Sequence, residues 1–438
     1  MKIIPITAIT ALLATGFPLS ALAQTGDDSS DAKPQEESIW TRKQLTGDWG
    51  GLRTDLSKHG IDIDLKLSQY WQGVTSGGRD ENDEYGGVMD YQVNLDGPKL
   101  FGSWDGFSIN IHARTRFGED INTDAGELVL PNTGMLMPAP GNYHDTDITG
   151  LIASQFLPFN GGLANITLGK LDIIDTVTMF FPNVTDGRDG FMNVHSMISA
   201  LPWFGAVAGL SLYGGYAVTI NQEFMSPESG ILVTGTENVS TTNGQLADSF
   251  DDVWIAGFHR FFWKMDDKPG YLMLFAGAST KEQKSNDPHD FVFKPGQGIE
   301  NDDEEKPWDV AAYFHQEFWQ APGDPSRRAY VKIGGTAGPD NPQFAQYNAF
   351  GHVEFMGLMD ARPHDRMGAA VWWNSLSDKF KDLVSPVADL QDMYGFELYY
   401  NYAITPWTHF TADIQYVQNE WKDDDMVVIP AVRLVINF

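Results

Sequence analysis

The hydrophobic period of this chain changes abruptly within residues 45–67 (LTGDWGGLRTDLSKHGIDIDLKL). Leu52 and Leu56 lie one helical turn apart and so share a face of a short helix. From Ile61 onward, apolar residues alternate strictly with aspartate, lysine and serine, which indicates a strand with one apolar and one polar face. The sequence therefore predicts a short helical segment over residues 45–60 that leads directly into a long strand.

Two residues mark the expected ends of this helix. Asp48 carries a carboxylate that can accept from the free N–H groups of a first helical turn. Gly60 suits the left-handed geometry in which many helices end. Both positions agree with the change of period between them.

The beginning of the chain has the features of a secretory signal. Lys2 is followed by a mostly apolar stretch, and a small-x-small cleavage pattern ends at Ala23. Residues 1–23 are therefore predicted to be a signal peptide, and the prolines within them argue against a membrane-spanning anchor. Residues 24–44 are polar and acidic without apolar periodicity, which predicts a disordered spacer.

Composition excludes several classes of protein. The formal charge is −30 at pH 7, so nucleic acid is not an expected partner, because phosphate binding needs concentrated Lys and Arg. The absence of cysteine excludes disulfides, thiolate metal sites and a cysteine nucleophile. No later stretch approaches the ~20 apolar residues of a transmembrane helix, so an exported chain of this kind is either soluble or a β-barrel. The acidic runs at residues 80–84, 301–305 and 423–425 are typical of solvated loops, with divalent-cation binding as the alternative.

Alternating strand patterns dominate the rest of the chain and are separated by connections of two kinds. Short turns such as residues 405–407 contrast with long polar segments at residues 125–145, 225–252 and 281–307. Unequal connections of this kind are typical of a transmembrane barrel, whose two rims differ. The clearest strand patterns cover residues 61–68, 89–95, 107–116, 397–404, 410–416 and 428–438.

The final pattern places Phe438 on the apolar face of an alternating strand. A closing aromatic of this kind resembles the signal by which bacterial outer-membrane barrels are assembled, so Phe438 is the predicted barrel-assembly signal. A soluble β-sandwich has the same period of two and remains the alternative. Strand length and aromatics near strand ends favour the barrel. At roughly 23–28 residues per strand with its loop, the chain allows about 14 to 18 strands.

Several motifs resemble those of one family, the OprB-like carbohydrate-selective porins. The main one is residues 47–53 (GDWGGLR), and Ala412 departs from the family pattern, which often has proline there. The other matching blocks are residues 168–172 (LGKLD), 191–193 (FMN), 397–400 (ELYY), 404–407 (ITPW) and 413–417 (DIQYV).

The resemblance implies an all-β fold: a transmembrane antiparallel barrel of about 16 strands over residues 61–438, with a short helix at its periplasmic mouth. It further implies a porin of the cell outer membrane that lets small sugars, such as glucose and related mono- or oligosaccharides, diffuse passively. No cofactor is implied. The expected partners are small carbohydrates, outer-membrane lipids and lipopolysaccharide, and the barrel-assembly machinery, and the chain is either a monomer or a homotrimer.

The polar face of two neighbouring strands supplies the candidate site. A sugar-selective constriction needs donors, acceptors and an aromatic platform, because a sugar carries hydroxyls on its rim and weakly apolar faces. Arg114 and Arg116 either stand unpaired in the lumen or pair with acids from a folded-in loop. The lumen candidates are Asp90, Gln92, Asn94, Asn110, His112, Arg114 and Arg116, with Trp71, Trp203 and Trp372 as possible sugar-stacking platforms or, alternatively, girdle residues.

No catalytic signature and no metal-ligand spacing is present in the sequence. The chain is therefore predicted not to be an enzyme and to have no metal site. The alternatives to a sugar porin are a general or cation-preferring porin on the same fold, an outer-membrane hydrolase, or a secreted sugar-binding β-protein.

Overall fold

The computed structural model describes residues 38–128, 146–181, 187–197, 211–239, 250–295, 298–301 and 303–438. Within them, sixteen strands form a closed barrel, each antiparallel to the next, and the last pairs with the first. The predicted antiparallel barrel of about 16 strands is thereby confirmed. The strands are β1 Ile61–Gly73, β2 Asp83–Asp96, β3 Phe107–Gly118, β4 Thr146–Phe159, β5 Gly162–Asp172, β6 Ser211–Asn221, β7 Ser226–Gly235, β8 Val253–Met265, β9 Lys268–Ser279, β10 Trp308–Ala321, β11 Asp324–Ala337, β12 Ala345–Met356, β13 Arg366–Leu376, β14 Met393–Thr405, β15 Thr408–Gln418 and β16 Val427–Asn437.

A short helix precedes the barrel, as the change of period predicts. A 3-10 turn at Trp49–Gly51 leads into helix α1, Leu52–Lys58. The N–H of Thr54 donates to Asp48 Oδ1 at 2.8 Å, so this carboxylate satisfies a donor of the first turn. Gly60 has φ +85°, which ends the helix and lets β1 begin at the next residue.

Side chains along each strand alternate between the lumen and the outer face. In β1, Tyr70 and Gln72 are buried on the inside, whereas Leu67 and Trp71 point outward. This arrangement leaves a band of exposed apolar residues around the barrel, as a lipid-facing surface requires. Members of the band include Ile166, Leu168, Ile231, Ile255, Leu274, Ile333, Val371 and Leu398.

The two rims differ, as the sequence predicts. At the short-turn rim, connections such as residues 160–161, 266–267 and 406–407 join neighbouring strands. The opposite, long-loop rim carries the extended connections. The connection between β2 and β3 contains helix α2, Gly97–Phe101, and the connection after β3 contains helix α3, Asn122–Ala125.

One expected loop is wrong in part. Residues 225–252 were predicted to form a single polar loop, but Ser226–Gly235 is strand β7, paired with β6 and β8. The first residues of this strand, Ser-Pro-Glu-Ser-Gly, are polar or small, so apolar alternation is visible only near Ile231. Pairing on both sides, which a local pattern does not reveal, makes the segment a strand.

The long-loop rim has small elements of its own. The β9–β10 connection contains two small two-stranded sheets. Lys379 of helix α6, Asp378–Val384, donates to Asp287 Oδ2 of this connection at 2.5 Å. This hydrogen bond lowers the pKa of Asp287 and joins two connections at the rim. The small paired strands are Gln283–Lys284 with Glu304–Glu305 and Phe291–Lys294 with Gly298–Asn301.

Residues 38–44 were predicted as part of a disordered spacer, but they form turns against the barrel. The indole N–H of Trp407 donates to the carbonyl of Ile39 at 2.6 Å, which holds the segment at the short-turn rim. The earlier part of the spacer and the predicted signal peptide lie outside the described residues. No helix within the described ranges is long and apolar enough to cross a membrane.

The connection between β5 and β6, residues 173–210, is called the inner loop, because its described parts, residues 173–181 and 187–197, lie in the interior of the barrel. It begins with helix α4, Ile173–Phe180, and includes a second short helix, α5, Val194–Met197. Phe180 contacts Tyr216 and Phe258 edge-on, with ring centroids 5.1 and 5.2 Å apart. The inner loop therefore shares an apolar core with the wall inside the barrel.

Candidate functional site

The two predicted polar ladders lie side by side on the inner wall of the barrel. Strands β2 and β3 pair Asp90 with Arg114, Gln92 with His112, and Asn94 with Asn110. The amide of Asn110 donates to Asn94 Oδ1 at 2.6 Å, and Gln92 Nε2 lies 3.2 Å from His112 Nδ1. The structure thus brings these six candidates together on one patch of the lumen wall.

Arg114 is not a free lumen cation. Its side chain is buried, its Nε donates to Asp90 Oδ1 at 2.9 Å, and its Nη1 donates to Asp172. Asp172 ends β5 and also caps α4, because its Oδ1 accepts from the N–H of Ile174 at 3.0 Å. Asp175, on the first turn of α4, lies 3.5 Å from Arg114 Nη2. The predicted alternative, pairing with acids of a folded-in loop, describes the geometry of Arg114.

Arg116 also has a partner. Its Nη2 donates to Asp120 Oδ2 at 2.6 Å, within the connection that follows β3. Both members of the predicted arginine pair are therefore held by carboxylates rather than presented to the lumen.

A second arginine reaches Asp90 from the inner loop. Arg188 Nη2 donates to both oxygens of this carboxylate at 2.8 and 2.9 Å, and its Nε donates at 3.1 Å. Asp90 is also 3.0 Å from His112 Nε2. Because Asp90 and Arg188 are both buried, this bidentate pair fixes the inner loop to the wall at β2.

The same loop is also attached to β14, β15 and β16, which lie on the other side of the barrel closure from β1 and β2. Glu397 on β14 accepts from the backbone N–H of Met192 at 2.5 Å and of Asn193 at 3.3 Å. Asn193 Nδ2 donates to Gln415 Oε1 at 3.1 Å, and Arg433 Nη2 on β16 donates to the carbonyl of Gly190 at 2.7 Å. These contacts hold the inner loop on both sides of the closure. Phe181 of the same loop lies 4.7 Å from the ring of Tyr313 on β10, eight strands away from β2, so the loop spans the interior.

The inner loop carries a second charged side chain at Asp189, next to Arg188. Burial raises the pKa of Asp189, but the positive charges of Lys66, His409, Arg366 and Arg433 outweigh it and lower the pKa to about 2. These four groups belong to β1, β15, β13 and β16. One inner-loop carboxylate thus interacts with four strands around the barrel closure.

Aromatic contacts complete the attachment. The ring of Phe191 lies 4.8 Å from that of Tyr399 and 5.2 Å from that of His352. Glu354, on the same wall, accepts from the hydroxyls of Tyr330 and Tyr399. The inner loop is therefore packed as well as hydrogen-bonded.

The two tryptophan candidates that the structure describes lie in different environments. Trp71 lies on the outer face, 39% exposed, with its indole N–H donating to Asp83, so its proposed place in the lumen is wrong. Its position in β1 has the same parity as Leu65 and Leu67, which face lipid. Trp372 faces inward but is 4% exposed, with its ring stacked against that of His195 at 6.1 Å. Trp203 lies outside the described residues.

The polar candidates differ in how much of each residue is exposed. Asp90, Asn94, His112, Arg114 and Arg116 are buried, whereas Gln92 and Asn110 are half-buried. Asp175, which the sequence did not single out, also keeps part of its side chain exposed, at 34%.

Within the described residues, His112, Asp172 and Asp175 place one ligand atom each within 4.8 Å of one another, as a cation site would. The guanidinium of Arg114 already contacts both carboxylates. An arginine thereby supplies the positive charge that a metal ion would bring, which argues against a metal at this position.

Sequence reasoning missed the inner-loop half of the site. Arg188 and Asp189 lie in a short Gly-Arg-Asp-Gly run without strand period, so alternation assigns them no face. The Phe-Met-Asn block at residues 191–193 carries a family resemblance, which assigns it no position in the barrel. Glu397 belongs to another matching block, and the parity of its strand places its side chain inside. Phe438 follows β16, and its backbone N–H donates to the carbonyl of Leu65 at 2.9 Å; its role in assembly stays a prediction.

A closed sixteen-stranded barrel with an apolar outer band, a polar wall and a loop held across its lumen defines an outer-membrane porin. Comparison with known proteins gives the family. The model described as "Carbohydrate-selective porin, OprB family" matches residues 80–438, and this chain belongs to that family of Gram-negative outer-membrane proteins.

Individual relatives agree. Porin B of Pseudomonas aeruginosa is 23% identical over 422 residues, which cover 88% of each chain. Among solved structures, the high-pH form of Pseudomonas putida OprB has a TM-score of 0.74 at 18% identity and covers 92% of this chain and 100% of that one. Its low-pH form has a TM-score of 0.56 at 16% identity, over 91% and 99%. These structures support the fold.

Proposed function

We propose that the inner loop forms the constriction of this carbohydrate-selective porin, and that small sugars diffuse past it down their gradient. The observation that carries the proposal is the attachment of the loop at several strands: through Arg188 to Asp90 on β2, through Met192 and Asn193 to Glu397 on β14, and through Phe181 to Tyr313 on β10. A loop attached at these separate strands narrows the lumen, so passage depends on the groups beside it.

The buried and half-buried residues have different roles in this proposal. Three residues have a positioning role, because their charges pair with one another: Arg114 and Arg188 both donate to Asp90. Gln92 and Asn110, with Asp175 of α4, offer amide and carboxylate groups to the passage. Such groups suit an uncharged solute with many hydroxyls, and individually weak hydrogen bonds let it leave again.

Glucose and related mono- or oligosaccharides are the proposed solutes. The proposal requires no cofactor and no chemical step, and none of the described residues is assigned a catalytic role. Lipopolysaccharide, the assembly machinery and a monomeric or trimeric state remain proposed partners and states, as does removal of residues 1–23 on export.

Vesicle swelling tests the solute class. Purified protein in liposomes should admit glucose faster than amino acids of similar size, because the passage offers hydrogen bonds rather than a free charge. Equal rates would indicate a general porin and would reject sugar selection while leaving the barrel intact.

The residue assignment is tested by Gln92→Leu. Losing one hydrogen-bonding side chain should weaken sugar block of single-channel current by roughly 2- to 10-fold. Gln69→Leu is the matched control, because Gln69 lies on the outer face of β1, where it accepts from Tyr85 at 2.5 Å. Unchanged block in Gln92→Leu would remove that residue from the passage.

A further inference from the structure

The closure of the barrel between β1 and β16 is incomplete on its short-turn side. β1 pairs with β2 along its whole length, Ile61–Gly73, but it pairs with β16 only from Lys66 to Gln72. One residue beyond β16, the N–H of Phe438 still donates to the carbonyl of Leu65 at 2.9 Å. The edge of β1 from Ile61 to Leu65 therefore has little strand cover on this side. Uncovered strand edges are weak points of a sheet.

The segment that precedes β1 lies at this place. Leu45 N donates to the carbonyl of Asn437 at 2.7 Å, and Asn437 N donates to the carbonyl of Trp407 at 2.8 Å. Trp407 in turn donates through its indole N–H to the carbonyl of Ile39 at 2.6 Å. Residues 38–53 thus continue the hydrogen bonding of the seam where β16 stops.

Arg53 makes the contact that reaches farthest across the seam. Its Nη2 donates to the main-chain oxygen of Phe438 at 2.8 Å, and its Nη1 donates to the carbonyl of Gly47 at 3.3 Å. The guanidinium also lies 4.2 Å from the ring centroid of Trp49. One side chain therefore joins the residue after β16 to the turn before α1.

The remaining residues of the Gly47–Arg53 block explain how this arginine is held. Trp49, Gly50 and Gly51 have φ values of +52°, +69° and +101°, a run of left-handed geometry that glycine permits. Asp48 accepts from both the N–H and the hydroxyl of Thr54 at 2.8 Å, which fixes α1 against the turn. The turn places the tryptophan ring beneath the guanidinium.

We propose that residues 47–53 are a seam clasp: a built binding site, within this chain, for Phe438 and the end of β16. The turn and Asp48 shape the site, Trp49 is its platform, and Arg53 binds the main-chain oxygen. Occupation of the site holds β16 against β1 where strand pairing is incomplete. The main block of the sequence resemblance thus serves barrel closure, whichever solute the channel passes.

The test compares Arg53→Gln with Arg362→Gln in folded, purified barrels. Arg362 is a stringent control at the same rim away from the seam. Its guanidinium lies 3.7 Å from the Tyr402 ring centroid, its Nη2 donates to the carbonyl of Ala403 at 2.7 Å, and it also forms an ion pair with Asp365 at 2.7 Å. Loss of a charged hydrogen bond at the seam should accelerate unfolding, read as loss of the compact gel band, by roughly tenfold or more. Equal acceleration by both variants would overturn the proposal.

A disulfide between β1 and β16 tests whether Arg53→Gln accelerates unfolding by opening the seam or only by a local change around residue 53. The chain has no cysteine, and Leu67 and Ile436 are register partners on the outer face, so Leu67→Cys with Ile436→Cys introduces one link between β1 and β16. In the oxidised background Arg53→Gln should have no further effect, and reduction should restore its effect. If the effect persists with the disulfide intact, the clasp does not act through the seam. Should Arg53→Gln fail to fold, Arg53→Lys in the same background gives the same comparison.

Discussion

Asp90 accepts from cationic or imidazole groups of two elements, Arg114 and His112 on β3 and Arg188 on the inner loop. In a buried position each partner offsets the cost of removing the carboxylate from water. The charged residues of the site therefore bind one another rather than a solute. Arg114, which strand parity places in the lumen, holds Asp90 and Asp172 together, and only neighbouring residues with exposed polar atoms face the solute.

At this scale, Arg188→Met should release one attachment of the inner loop. Breaking a buried pair costs about 3 kcal/mol, and the freed loop should raise single-channel conductance and reduce the preference for sugars. Conductance and denaturant unfolding measure the two effects. Lys264→Met breaks the exposed pair with Glu223 at 2.8 Å and should cost less than about 1 kcal/mol. Unchanged conductance in Arg188→Met would show that the loop does not depend on this tie.

Among the elements, the junction of α1 and β1 is the one whose sequence and structure agree most closely. The period changes at Gly60, and the helix ends there because the next residue must begin an extended strand. β7 shows the opposite case: its outward positions include Ser229, and a bulge near Pro227 interrupts its pairing with β6, so the apolar alternation that reveals other strands is short. Local alternation predicts the strands that have a continuous apolar outer face. β7 is recognisable as a strand only from its pairing with β6 and β8.

Gly60→Ala should test the junction. A Cβ there would lie 2.8 Å from Lys99 Cβ and 3.0 Å from the carbonyl of Asp96, and the φ of +85° is strained for alanine. The expected loss is about 1–3 kcal/mol in the free energy of unfolding. Gly161→Ala is the control, because its φ of +79° is similar but nothing lies within 4 Å. Equal losses at both positions would mean that crowding by the β2–β3 connection contributes nothing.

Across the whole molecule, the inner loop couples walls that are far apart in the chain. Arg188 and Asp90 are 98 residues apart, and Met192 and Glu397 are 205 apart. The loop also interacts through Asp189 with four strands around the closure. The stability of the barrel and the width of its passage therefore depend on the same contacts.

Acid should weaken this coupling. Burial raises the pKa of Asp189, but the surrounding positive charges lower it to about 2, below the ~3.9 of an unfolded aspartate. The stabilisation is thus complete above about pH 4 and is lost as pH falls toward about 2. Single-channel records should show added conductance states in that window, reversed at pH 7. Asp189→Asn should show them at pH 7; an unchanged low-pH transition in this variant would contradict the assignment.

The sequence by itself determined the strand period, the unequal rims, the helix before β1 and the family, because each depends on local alternation or on a contiguous motif. It also selected the correct polar patch on β2 and β3. Only the tertiary structure decided which groups remain available there, since Arg114 meets acids brought by a distant loop. Parity along β1 already groups Trp71 with the outward-facing Leu65 and Leu67, whereas only the packed inner loop decides that Trp372 is buried against His195. Side-chain parity is a local property, whereas burial and pairing depend on long-range contacts formed when the barrel closes around its own loop.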